Sequence, residues 1–517
     1  MHISDSEWID ATCSWLKQSA TETPGENITA AVAAAEISEI DRLLETLVLN
    51  FDTLGASPRR LRILMQLTAS RMLQPSSDFT PLPPETLAAV YDRLSEVDGQ
   101  AAAHALQIMA SQAVAGQGDE ESIHCLAAIL VESPPSNWQQ VALALSPLWK
   151  ASSDLLELFF DRLYDGFVHP ATLAVLLDLA NYSVRRGAFR EHPWTHKQPE
   201  LNSLLQSVVA QLEKLEKAPS EFGTSVDDVQ RILGDSVALT VSLCDALGLI
   251  GNPQSLSSLS TALDLSHRRI QTEAACGLAR LGDVRGKQRL IELAADPVAR
   301  QRAVAYADEL SFAEEIDEQL RYPQALAESE LAAWLASPNQ FGIPPSTIEC
   351  IDSRTQYWPS YHEPQDCFLF RFSYALPTGT LSNIGIAGPV THAFQADLAN
   401  LPIDDIYAAF AGWQAEHEEI FEVPMPLLNP AQRREADRLI AELEAGGFEV
   451  TESIALTFFL GEVALLAKLS QAGKPLCAIT DGVETMRLAT SDHPSAMTPE
   501  VVLAIYRGRK LLRTFNP

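Results

Sequence analysis

Positive charge is scarce in this sequence. Its 37 Lys and Arg face 68 Asp and Glu, a formal net charge of −31 over 517 residues. Such a chain repels phosphate backbones and anionic headgroups, which excludes general nucleic-acid binding and attachment to a membrane surface. Cysteine is also scarce: Cys13, Cys125, Cys244, Cys276, Cys350, Cys367 and Cys477 are scattered, odd in number and nowhere spaced as CxxC. That predicts reduced thiols in a cytoplasmic protein, with no disulfide framework and no zinc site. The most apolar later run, 456–469, is interrupted by Glu462 and Lys468 and is too short to span a bilayer. The opening MHISDSEWIDATCSW lacks the basic and apolar regions of a signal peptide. Gly385-Ile-Ala-Gly388 is followed by no third glycine and no GK[ST], so it is not a phosphate loop.

What the chain does have is ordinary globular composition, 46% hydrophobic and 20% charged, at a length that calls for more than one core. It also has an internal repeat. Cys244-Asp-Ala-Leu-Gly-Leu-Ile-Gly-Asn252 returns 31 positions later as Ala275-Cys-Gly-Leu-Ala-Arg-Leu-Gly-Asp283, which aligns Leu247 with Leu278 and Gly251 with Gly282. Each copy reads as an apolar helix stopped by a glycine in the left-handed cap conformation. Second helices follow at 254–263 and 286–295, and Asp296-Pro297 opens the next unit. Apolar helices at 58–73, 99–113, 137–148 and 170–179 read as earlier, less regular units, with irregular inserts at 187–199 and 217–225.

The run Glu273-Ala-Ala-Cys-Gly-Leu-Ala-Arg-Leu-Gly-Asp283 and its echoes resemble HEAT repeats of the phycobilisome-lyase type. The resemblance is strongest over 236–311. It implies a right-handed stack of helical hairpins whose small residues let paired helices approach closely. The domain reading is an N-terminal cap at 1–29, a HEAT-like α-solenoid at 30–336, a linker at 337–345 (Ser-Pro-Asn-Gln-Phe-Gly-Ile-Pro-Pro) and a smaller mixed α/β domain at 346–517. In that last domain, strands are expected at 367–374, 383–387, 448–453, 455–460 and 476–480. Helices are expected at 403–418, 430–445 and 462–471. Tyr357-Trp-Pro-Ser-Tyr-His-Glu-Pro364, Gly385 to Val390 and Ala411-Gly-Trp413 resemble a region that follows HEAT repeats in uncharacterised bacterial proteins, which brings no activity with it.

No catalytic residue, cofactor or metal site emerges from these patterns. A HEAT-type di-iron hydroxylase needs His-Glu pairs on its repeat helices. Here they occur only at His362-Glu363 and His417-Glu418, outside the repeats. Cys367 reads as a core residue opening a strand, His392 as a solvated loop histidine, and Asp404-Asp405 as helix-capping acids. Against the acidic background, 268–302 carries eight Arg and Lys and only four acids. Arg268, Arg269, Arg300 and Arg302 fall near the starts of successive first helices, which predicts one cationic surface cluster for an acidic or phosphorylated segment of a protein partner. A second basic cluster is Arg507, Arg509, Lys510 and Arg513. Trp358, His362 and Trp413 are the candidates for a pocket. The expected function is a non-catalytic protein–protein interaction scaffold or adaptor. The alternative is a chaperone-lyase, similar to the bilin lyases, acting on a protein substrate.

Overall fold

The computed structural model describes the chain except residues 1–6, 18–22, 56, 74–80, 117–119, 164–168, 223–224, 338–339, 378, 395–397, 416, 418, 472, 490–497 and 517. Parts of the expected cap and linker, and Glu418, lie outside the described residues. The chain is mainly helical, with two antiparallel sheets in its C-terminal region. It divides into two compact units, Met1–Leu290 and Ile291–Pro517.

In the first unit, helices Pro58–Met72, Gly99–Ala115, Trp138–Leu145, Pro170–Arg185, Val226–Ile250 and Arg268–Arg280 form a ladder in which each packs on the next. Intervening helices Pro84–Ser95, Glu120–Glu132 and Ser153–Arg162 form a second such row. All the expected helices of this region are present. The close approach of Val226–Ile250 and Arg268–Arg280 depends on missing side chains: a Cβ on Gly248 would lie 2.7 Å from the Gly277 Cα. Gly251 and Gly282, after the two helices, have φ of 75° and 83°. Among the described residues, one helical stretch, Asp228–Ile250, is long and apolar enough to cross a membrane, and 67% of its apolar window is buried.

The irregular segment after Arg185 is ordered by a buried histidine. His192 Nδ1 accepts from the Trp194 N–H at 3.2 Å, which leaves Nε2 to donate to Asn181 Oδ1 at 3.1 Å. Asn181 in turn donates to the Ser242 carbonyl at 3.1 Å. Burial pushes the imidazole pKa from 6.5 down to about 3.

The second unit stacks five layers. Helix Pro323–Leu335 lies on sheet β1 (Thr347–Gln356), β2 (Gln365–Leu376), β3 (Gly379–Ala387) and β4 (His392–Ala393), through Leu331, Leu335, Phe370 and Phe372. The other face of that sheet packs on helices Ile403–Gln414 and Pro499–Phe515. Those helices also receive one face of the second sheet, β5 (Ile420–Pro424), β6 (Glu449–Phe459), β7 (Glu462–Gln471), β8 (Lys474–Thr480) and β9 (Thr485–Ala489). Helix Pro430–Ala445 covers its far face through Leu439 and Leu443. The compact unit thus begins at Ile291, upstream of the expected boundary at 337–345, because helix Pro323–Leu335 shares its core with β2.

The expected helix 462–471 is β7. Its Glu, Ala, Leu and Lys favour a helix, but Ala464 and Leu466 face the central helices while Leu465, Ala467 and Leu469 face the outer one. A strand buried on both sides shows no alternation, and tertiary pairing outweighs local propensity. The strands expected at 448–453 and 455–460 are one bulged strand, β6.

The two halves of this unit repeat one plan: a helix, four antiparallel strands, then a helix in the centre. The central helices cross antiparallel where Ala408-Ala-Phe-Ala-Gly412 meets Ala504-Ile-Tyr-Arg-Gly508. A Cβ on Gly412 would sit 1.9 Å from the Ala504 carbonyl oxygen, and one on Gly508 1.8 Å from that of Ala408.

Two outcomes follow. Gly251→Val and Gly282→Val should each lower unfolding free energy by over ~1 kcal/mol, while Gly508→Val should prevent the second unit from folding, as read by denaturant titration and proteolysis. For His192, the unfolded state binds a proton below about pH 6.5 and the folded state only near 3. Stability of the first unit should therefore fall on acidification through that window, by up to about 1.4 kcal/mol per pH unit. His192→Gln should remove that slope, and an unchanged slope would show that other groups carry it.

Candidate functional site

A concavity lies within the second unit, beside the first sheet. It is an open cleft of about 690 Å³. Its walls combine Leu320 and Tyr322 ahead of helix Pro323–Leu335, and Pro323 at its start, with Ser353, Arg354 and Thr355 of β1 and Phe368 of β2. Alternation sets what each strand residue does. Ser353 and Thr355 turn to the cleft, where the Thr355 hydroxyl donates to Asp366 Oδ1 at 2.6 Å. Arg354 turns to the opposite face, 4.6 Å from the Tyr407 ring centroid. Its Nε donates to Asp352 Oδ2 at 2.8 Å and its Nη1 to Asp404 Oδ1 at 2.7 Å.

Arg300 also lines the cleft, but as part of its frame. It is 4% exposed and donates to the carbonyls of Ala294 and Ala325 at 3.0 Å each and to Glu328 Oε2 at 3.0 Å. This corrects its expected place in a surface cluster: the side chain ties helix Pro297–Glu309 to helix Pro323–Leu335. Arg302 is exposed and donates to the Tyr306 hydroxyl at 3.1 Å. Arg268 and Arg269 are exposed on the first unit, and Arg300 and Arg302 belong to the second.

Trp358, His362 and Trp413 lie in different surroundings. Trp358 is buried and donates to Gln414 Oε1 at 2.5 Å, while His362 is exposed. Trp413 stacks on His392 at 3.8 Å between ring centroids. His392 is therefore no solvated loop residue. It sits half-buried among Trp334, Phe394, Phe410 and Trp413, and burial pushes its pKa down to about 4. Cys367 is a core thiol, pushed up to about 12 by burial.

The second basic cluster is consumed internally. Arg507 pairs with Glu422 at 3.0 Å, Arg509 with Asp405 at 2.6 Å, Lys510 with Glu462 and Asp481, and Arg513 with Glu484 at 3.9 Å. Asp404 and Asp405 thus serve as ion-pair partners as well as first-turn acids. Among the described residues, no group of three or more His, Cys, Asp and Glu is placed to hold a metal.

Sequence reasoning missed β1 and the helix Pro499–Phe515. In β1 the alternation of Ile348 and Cys350 is broken by the bulge at Ile351 and followed by polar residues, so the apolar pattern is too short to mark a strand. The helix is marked by Pro499 at its start and by Ala504-x-Tyr-x-Gly508, which repeats Ala408-x-Phe-x-Gly412 at a spacing of 96. No protein-family model matches the chain, and no curated protein or solved structure matches it.

Arg300→Met should destabilise the second unit by ~2 kcal/mol or more, because Glu328 and two carbonyls lose their donor. Thermal unfolding decides this, and a variant of unchanged stability would show that the ion pair contributes nothing to the frame.

Proposed function

We propose that this protein is a non-catalytic interaction scaffold in which a HEAT-like helical solenoid is joined to a two-sheet unit that holds a polypeptide in its cleft. The observation that carries the reading is the cleft itself, an open trough bounded by a sheet edge, apolar on one wall, with Arg300 in its frame already paired with Glu328. A trough of this kind suits an extended chain better than a small molecule, since compact ligands need deeper enclosure. Support for the solenoid comes from the ladders of second-neighbour helices, from the Gly248–Gly277 approach and from the matching left-handed caps at Gly251 and Gly282. Arg268 and Arg269 offer the helical unit a cationic contact for an acidic or phosphorylated segment.

The test is affinity capture of the full chain from its native cell with three baits: the natural sequence, Arg268→Glu with Arg269→Glu, and Ser353→Trp with Thr355→Trp. The tryptophans fill the cleft from exposed positions. A partner held by the natural chain should be lost from the cleft-filled bait, and any partner using the cationic contact from the charge-reversed one in a salt-sensitive manner. An identical protein set on all three folded baits would overturn the reading.

A further inference from the structure

The duplicated plan of the second unit exposes a difference between its halves. β1 and β6 are equivalent strands. Each pairs with the strand after it, and each carries a bulge at the same place: Ile351 between Cys350 and Asp352, and Ile454 between Ser453 and Ala455. Both bulged isoleucines pack on the same central core. The next partners also agree, since Asp352 faces Leu369 and Ala455 faces Leu466. The spacing between β1 and β6 is therefore 103 residues, which matches Asp352–Gln356 with Ala455–Phe459.

In the second half that stretch of β6 has an outer neighbour. β5 covers it antiparallel, with Phe421 opposite Phe458, Glu422 opposite Thr457 and Val423 opposite Leu456. In the first half the same stretch of β1 is the sheet edge, and among the described residues no strand covers it. The cleft opens on this edge, at Ser353, Arg354 and Thr355. A bulge often protects an edge from pairing. Here the same bulge sits in β6, where it ends the β5 ladder at Ala455 without preventing it. It limits the free edge to five residues.

We propose that the β1 edge at Asp352–Gln356 binds an extended segment of a partner protein by antiparallel strand addition, and that the segment places an acidic residue opposite Arg354 between two apolar residues opposite Ser353 and Thr355. This rests on the cleft being a polypeptide site. The acidic preference follows from charge. In the second half, β5 Glu422 reaches Arg507 of the central helix at 3.0 Å. In the first half, position 411 on the equivalent helix is alanine, and the cation is on the strand itself, as Arg354. Of the two acids that hold Arg354, the Asp404 side chain is 82% exposed and easily displaced. The neighbouring residues of the segment turn to the other face, towards Tyr322, Leu320 and Phe368, which suits apolar side chains. A second copy pairing through its own β1 about this centre would set Arg354 against Arg354, a like-charge pair that disfavours it. The chain's own strand of the right composition, β5, is engaged on β6.

The probe is a soluble fluorescent peptide carrying Ile-Phe-Glu-Val between Ser-Lys flanks, titrated into the full chain by polarisation. Binding should weaken at least tenfold when its Glu becomes Lys. Arg354→Glu in the protein should reverse the preference, favouring the Lys peptide. N-methylation of peptide residues in one alternate phase should abolish binding and in the other spare it, because only one phase points its N–H groups at β1. That peptide-side test holds even if Arg354→Glu fails to fold. Equal tolerance of both phases, no binding at millimolar peptide, or a dimer of the free chain that peptide cannot dissociate would each overturn strand addition. Partner capture lost on filling the cleft, together with indifference to N-methylation, would overturn this inference and leave the scaffold reading standing.

Discussion

The second unit depends on one contact, the crossing of helices Ile403–Gln414 and Pro499–Phe515 at Gly412 and Gly508. At these positions backbone meets backbone, with a hypothetical Cβ inside 2 Å of a carbonyl oxygen. Without it the two helices could not share a single layer, and Leu369, Ile386, Leu466 and Ile479 would lose the common core that both sheets face. The same device appears at Gly248 and Gly277 in the first unit. In both places a missing side chain converts helix pairing into close dispersion contact over many atoms, which is where packing energy is greatest.

That constraint decides what could be read from the sequence. The helical rows were legible because their apolar residues recur with helical spacing and their ends carry glycine: Gly251, Gly282 and Asp296-Pro297 mark real termini. Helix Pro430–Ala445 and strand β8 were legible for the same reason. β7 was not, since its two faces are both buried and its residues favour helix locally. β1 was not, since its alternation at Ile348 and Cys350 stops at the bulge and gives way to the polar residues Asp352, Ser353, Arg354 and Thr355. The duplication was printed in the Ala-x-[Phe/Tyr]-x-Gly pair 96 residues apart, but five residues acquire meaning only when the two helices are seen to cross there.

The candidate site was legible only in part. Counting arginines located basic stretches but could not say which cations already had partners. Arg300 is spent on Ala294, Ala325 and Glu328, and the 507–513 cluster on Glu422, Asp405, Glu462, Asp481 and Glu484. In a chain of net charge −31, acids outnumber cations nearly two to one, so an arginine is more easily satisfied within the fold than left for a ligand.

This imbalance also bears on how such a chain can recognise a partner. Its long-range field repels anions, so steering by charge works against an acidic ligand until contact is made. In the proposed strand addition, recognition comes from short-range terms: backbone hydrogen bonds along an edge, apolar side chains against Tyr322 and Phe368, and one arginine at the centre. Backbone pairing supplies affinity irrespective of sequence, while alternate side-chain positions supply selectivity. An acidic residue opposite Arg354 competes with the Asp352 and Asp404 carboxylates that already pair with the guanidinium. Displacing Asp404 exchanges one carboxylate for another at the same guanidinium. The central acid therefore adds little net binding energy and acts mainly to fix the register of the strand, while its replacement by a cation is penalised by direct repulsion.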